Sequence, residues 1–260
     1  MVRSLLLRGM LAGLIAGLLG FTVARVVGES SVSKAEAFEY YVAQTHHEPP
    51  EKELVSRTVQ ASAGLGTGAL VYGVAFGGLF ALVFTIAYGR LGPFHARGTA
   101  AVLGLLGFVS ICMVPFLKYP ANPPSVGQAD TIGHRTQLFL LMMVLSVVAM
   151  VVAALVQQRL VARLGAWNST LVVAGAYLAV IVVCYVLLPG INEVPQQAIR
   201  GVVPGVTDAG LTFPPKVLWH FRAASIATQA VMWTTLALVF GPLAQRVLER
   251  DPLADESLAH

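Results

Sequence analysis

Six stretches of this chain, residues 9–27, 61–88, 99–117, 138–156, 169–188 and 217–243, are long apolar runs with no Asp, Glu, His or Lys in their middles. A helix needs about 20 apolar residues to cross the hydrocarbon core, and each run meets that length. Inside lipid every backbone N–H and C=O must be satisfied, which a helix does within its own segment. The fold expected is therefore all-α: one integral membrane domain over residues 1–260, polytopic, with six transmembrane helices.

Composition agrees with that class. Hydrophobic residues make up 56% of the 260 residues and charged residues only 12%, and the mean hydropathy is +0.73. These values exclude an ordinary soluble domain. The net charge of +4 would suit a nucleic-acid partner only if the basic residues formed a stripe. They fall instead in ones and twos between apolar runs, so no nucleic acid is expected. Cys112 and Cys184 lie in separate runs without CxxC spacing and are read as small packing side chains.

The first run follows Arg3 and Arg8 and exceeds the apolar core of a signal peptide, so it is read as a retained helix. Gly9, Gly13 and Gly17 recur every four residues and mark a face for close helix packing, and the second run is crowded with glycine at 64, 66, 68, 73, 77 and 78. Arg3, Arg8, Arg90, Arg97, Arg159, Arg163, Arg246 and Arg250 share one side when six spans are counted. Basic residues in short loops favour the inner side, so both termini are expected in the cytoplasm. Residues 28–60, 118–137 and 189–216 are then the outer polar loops.

The middle loop is the most distinctive. The third run meets Pro115, where a break is expected, and Pro120, Pro123 and Pro124 follow among Lys118, Tyr119, Asn122, Asp130, His134 and Arg135. Proline lacks an N–H and restricts its predecessor, so the loop should be stiff. The three outer loops together offer His46, His47, Glu48, Asp130, His134, Glu193 and His220, imidazoles and carboxylates of the kind that bind borderline divalent metals. No pair has a strong ligand spacing such as HExxH. Arg222, Ser225 and Gln229 share one helix face at the start of the last run, with Gln229 deepest, and either join helices by hydrogen bonds or line a route. No nucleophile elbow, HExxH or phosphate loop is present, so no enzyme is expected.

The run PFLKYPANPP at 115–124, Thr131-Ile132 with Arg135-Thr136, Asn192-Glu193-Val194-Pro195, and LWHFRAAS at 218–225 with Gln229 and Trp233 together resemble the CbtA family of predicted cobalt transporter subunits over most of the chain. The resemblance implies cobalt uptake linked to cobalamin supply. It also implies a small partner, CbtB, with one span and a histidine-rich terminus, in the cell membrane. No permanently bound cofactor is expected, and cobalt is the ion carried. Lys118, Tyr119, Asn122, Arg135, Asn192, Glu193, Arg222 and Gln229 match the family pattern. In this reading the histidines and carboxylates capture the ion, the proline loop shapes the outer mouth, and Arg222, Ser225 and Gln229 line the route. Arg135 and Arg222 would repel a metal and are expected to hold Glu193 or Asp130 as ion pairs. The alternatives are a non-transporting assembly or scaffold subunit and, further off, a membrane enzyme using His134 and Asp130.

Overall fold

The structure, a computed structural model, describes residues 1–45, 47, 55–123, 126, 129–191 and 213–249, with backbone alone for 41–43, 45, 129 and 130. Helices α1 (Val2–Val23) and α2 (Glu29–Thr45) are joined by a π-helical segment, Ala24–Gly28. The short α3 (Arg57–Val59) passes through a second π segment, Gln60–Gly64, into α4 (Leu65–Ala87). Helix α5 (Ala96–Gly107) passes through a third, Phe108–Met113, into α6 (Val114–Lys118), and α7 (Ala129–Leu187) and α8 (Pro215–Leu248) complete the chain. Among the described residues there is no strand, and five helical runs are long and apolar enough to cross a membrane.

The polar segment after Val27, where a short helix is expected ahead of Pro49-Pro50, is helical over Glu29–Thr45, because leaving the lipid changes which side chains are tolerated and not whether the backbone can stay helical. One expected boundary moves. Pro115 does not break the third run. It sits in the first turn of α6, where a missing N–H costs least, directly after the widened π segment. The helix stops at Lys118, and the backbone leaves helical geometry at Tyr119 (φ −127°, ψ 75°).

Within α7, Gly165 adopts φ 75° and ψ 167°, a conformation that favours glycine. Residues on either side of it meet again. Ser146 and the Tyr177 hydroxyl are hydrogen-bonded at 2.8 Å, Gln157 Nε2 donates to Thr170 Oγ1 at 2.9 Å, and Leu138 and Met142 pack on Tyr177 and Ile181. The two arms, 131–164 and 166–187, therefore run antiparallel as a hairpin.

Helices α1, α4, α5 and α8 build one core, with Leu5, Phe80, Phe84, Trp233, Leu236 and Phe240 at its centre. Here α1 lies against α4 through glycine: a Cβ on Gly9, Gly13 or Gly17 would collide with the carbonyl of Gly77, Gly73 or Ala69 respectively. The four-residue spacing thus fixes a backbone-to-backbone seam. The hairpin forms a second core with α6. Its outward face, including Val144, Val148, Val151, Val182 and Val183, is exposed as befits lipid contact.

The bundle has two chemically distinct ends. At one, Arg8 donates to the Leu243 carbonyl at 2.6 Å and Gln158 to the Arg90 carbonyl at 2.7 Å. At the other lie the 119–123 segment, α2, and the start of α8, where Phe38 meets Phe213 edge-on at 5.2 Å.

Candidate functional site

The proline-rich segment is pinned from three sides. Lys118 Nζ donates to the Tyr185 carbonyl at 2.8 Å, placing a cation on the open C-terminal turn of α7. The Tyr119 hydroxyl donates to the Pro189 carbonyl at 2.7 Å, and burial raises the phenol pKa, so it remains a donor at neutral pH. From α8, Arg222 Nε donates to the Ala121 carbonyl at 3.2 Å and its terminal nitrogen to Asn122 Oδ1 at 2.9 Å. From α7, Arg135 donates to the Pro120 carbonyl. The two guanidinium groups thus grip neighbouring acceptors of the same short segment, residues 120–122.

Beneath this segment is a cavity of about 730 Å³ between the first arm of α7, the third span, α8 and α4. Tyr119, Asn122, Arg135, Thr136, Ser225, Thr228 and Gln229 supply its polar wall, and Phe108, Ile111, Phe116, Phe139 and Ile226 much of its apolar wall. Gln229 lies 14 residues beyond Pro215, about 21 Å along the helix axis at ~1.5 Å per residue. There Gln229 Oε1 faces Cys112 Sγ at 3.7 Å, and the indole N–H of Trp233 reaches the same sulfur at 3.2 Å. Trp233 is itself fixed edge-on to Phe76 at 4.8 Å.

A second cavity of about 400 Å³ shares Ala24, Ser225 and Thr228 with the first and carries Glu29, Arg57 and Gln60. Arg57 bridges Glu29 at 2.9 Å and Glu36 at 3.0 Å. All three π segments border these cavities: Ala24 borders both, Gln60 and Ala61 border the smaller, and Phe108, Ile111, Cys112 and Met113 border the larger. π-Bulges expose backbone and re-aim side chains, and here they do so beside the two cavities.

Of the residues singled out from sequence, Tyr119, Asn122, Arg135, Ser225 and Gln229 line the larger cavity and Arg222 grips its rim. Lys118 does not line it but anchors the hairpin. His47, His134 and His220 are exposed. His46, Glu48, Asn192 and Glu193 lie outside the described residues, as does the side chain of Asp130. Among the described residues no three His, Cys, Asp or Glu side chains gather as a metal site. Sequence reasoning missed Cys112, Tyr72, Met113 and Met143 on the larger cavity, and Glu29 and Arg57 on the smaller. The one usable signal was Pro115, which implies local unwinding just before it and so turns Cys112 away from regular packing.

Long apolar helices packed through glycine, around cavities with polar walls, define a multi-pass membrane protein. The chain belongs to the CbtA family, described as a probable cobalt transporter subunit, which matches residues 2–245. No curated protein and no solved structure matches the chain. The word subunit implies a partner chain.

Proposed function

We propose that this protein is the membrane-embedded subunit of an importer for a divalent transition metal, cobalt first, that serves cobalamin supply with a small single-span, histidine-rich CbtB-like partner. The observation that carries the proposal is the larger cavity: within a cobalt-transporter family, it runs from the Asn122–Arg222 rim past Ser225 to Gln229 at membrane depth. A pure scaffold has no use for a polar wall there, where unsatisfied polar groups are costly. In this reading His46, His47, Glu48, Asp130, His134, Glu193 and His220 raise the local concentration of the cation at the outer face. Arg135 and Arg222 hold the rim and do not touch the ion. Counting the α7 hairpin as two crossings gives six spans and puts both termini with Arg8, Arg90, Arg163 and Arg246 on the cytoplasmic side.

The test is cobalt accumulation in cells expressing the chain with and without the partner, with Gln229→Leu beside wild type at matched membrane abundance. Leucine keeps the volume and deletes the polar wall, and accumulation should fall at least several-fold. Unchanged accumulation in Gln229→Leu would favour an assembly subunit.

A further inference from the structure

We propose that Arg8, Arg246 and Glu249, at the end of the bundle where α1 meets α8, hold the phosphate and amine of an ethanolamine phospholipid from the surrounding leaflet. The reading goes beyond metal transport and does not depend on it. Together with Leu11 and Leu243 these residues line a third cavity, of about 640 Å³, that opens to the surface.

The order of residues on the two helices sets charge above apolar surface. Helices α1 and α8 are antiparallel: Arg8 reaches the Leu243 carbonyl, a Cβ on Gly20 would meet Met232, and one on Gly28 would lie 3.9 Å from Ala224. On each helix the leucine stands three residues nearer the membrane centre than the arginine, Leu11 against Arg8 and Leu243 against Arg246. That is about 4.5 Å along the axis at ~1.5 Å per residue. The cavity therefore has a cationic layer at the water and an apolar layer beneath it, the order in which a phospholipid presents its phosphate and its chains. Below Leu11 the outer face of α1 stays apolar and exposed through Leu14, Ile15 and Leu18. This track suits acyl chains, and free phosphate has no use for it.

The cationic layer has donors to spare. Arg8 spends one of its five guanidinium N–H groups on the Leu243 carbonyl, which fixes the group at the cavity wall. Arg246 is exposed, and no hydrogen bond or ion pair ties it to another described residue. Basic pockets between transmembrane helices bind lipid head groups, and the planar guanidinium fork matches phosphate oxygens. Glu249 stands three residues beyond Arg246, further toward the water, and accepts from Gln245 Nε2 at 2.7 Å without an ion pair to either arginine. One carboxylate beyond two cations opposes a purely anionic head. It complements ethanolamine, whose ammonium sits two carbons past the phosphate.

The test uses the full chain in detergent micelles, with ethanolamine phospholipid, its glycerol-headed counterpart and inorganic phosphate added in turn at matched concentration. Native mass spectrometry and thermal unfolding read the binding. The ethanolamine lipid should bind and raise the unfolding temperature, the glycerol lipid should bind at least several-fold more weakly, and inorganic phosphate should neither stabilise nor compete. Arg246→Gln should weaken ethanolamine-lipid binding at least several-fold, while Arg159→Gln, exposed and outside the cavity, should leave it unchanged. Arg246 is substituted in preference to Arg8 because Arg8→Gln also breaks the tie to Leu243. Glu249→Gln should abolish the preference for ethanolamine and leave the phosphate contact. Unchanged binding in Arg246→Gln, an equal loss in Arg159→Gln, or full competition by inorganic phosphate would each overturn the lipid site. A preference for ethanolamine that survives Glu249→Gln would overturn the role given to that carboxylate.

Discussion

Arg222 shows how much one side chain can fix. It reaches from α8 across to a loop about a hundred residues earlier and holds it at two points, a backbone carbonyl and the Asn122 amide oxygen. The planar fork suits two acceptors at once, whereas lysine offers a single point charge. A hydrogen bond from a charged donor contributes about 1.5–3 kcal/mol, so Arg222→Lys should release one point and lower the held-to-released ratio roughly tenfold, since about 1.4 kcal/mol is one decade. Cobalt accumulation at matched abundance reads this directly, and a wild-type value for Arg222→Lys would mean that charge alone matters. The helical spacing of Arg222, Ser225 and Gln229 was legible in the sequence, and so was their shared face. The loop acceptors that hold Arg222 were not, because periodicity says which residues lie together on one helix and nothing about what packs opposite.

At the scale of elements, the four-residue glycine spacing in α1 was also legible, and α4 returns it with Gly73 and Gly77. What the spacing could not reveal is how closely the backbones approach. A methyl on Gly13 has no room against the Gly73 carbonyl, while Gly68 in the same α4 has nothing within 4 Å of its Cβ position. Gly13→Ala should therefore separate the helices and cost about 1–3 kcal/mol by overpacking. Gly68→Ala should be neutral or stabilise by up to about 1 kcal/mol, because it only improves helix propensity. Thermal unfolding in detergent compares the pair, and equal shifts would mean that the seam is not what holds α1 to α4. Helix ends were less legible than helix faces. Hydropathy ended the first apolar run at Val27 and a short helix was expected beyond it, but the end of that helix at Thr45 was not readable, since the backbone hydrogen-bond ladder continues wherever no residue interrupts it.

For the molecule as a whole, the apolar runs announced a membrane protein, but the cavity was hidden because Tyr72, Cys112 and Gln229 come from three separate runs and Arg135 from a loop. The number of crossings depends on one residue. The fourth helical run covers 57 residues, Thr131–Leu187. Straight, it would extend about 86 Å at ~1.5 Å per residue, nearly three times a hydrocarbon core of about 30 Å. The turn at Gly165, with Ser146 bonded to Tyr177 across it, removes that conflict and places residues 163–168 at the same end as Arg8 and Arg90. Trp167 is 74% exposed there, and Ser56 is exposed at the opposite end beside Arg57. A membrane-impermeant maleimide should label Ser56→Cys in intact cells and Trp167→Cys only after the membrane is opened. The unsubstituted chain, whose native thiols Cys112 and Cys184 are both half-buried, gives the background to subtract. Labelling of Trp167→Cys in intact cells would put the hairpin turn outside, and the even count and the shared cytoplasmic location of both termini would fall with it.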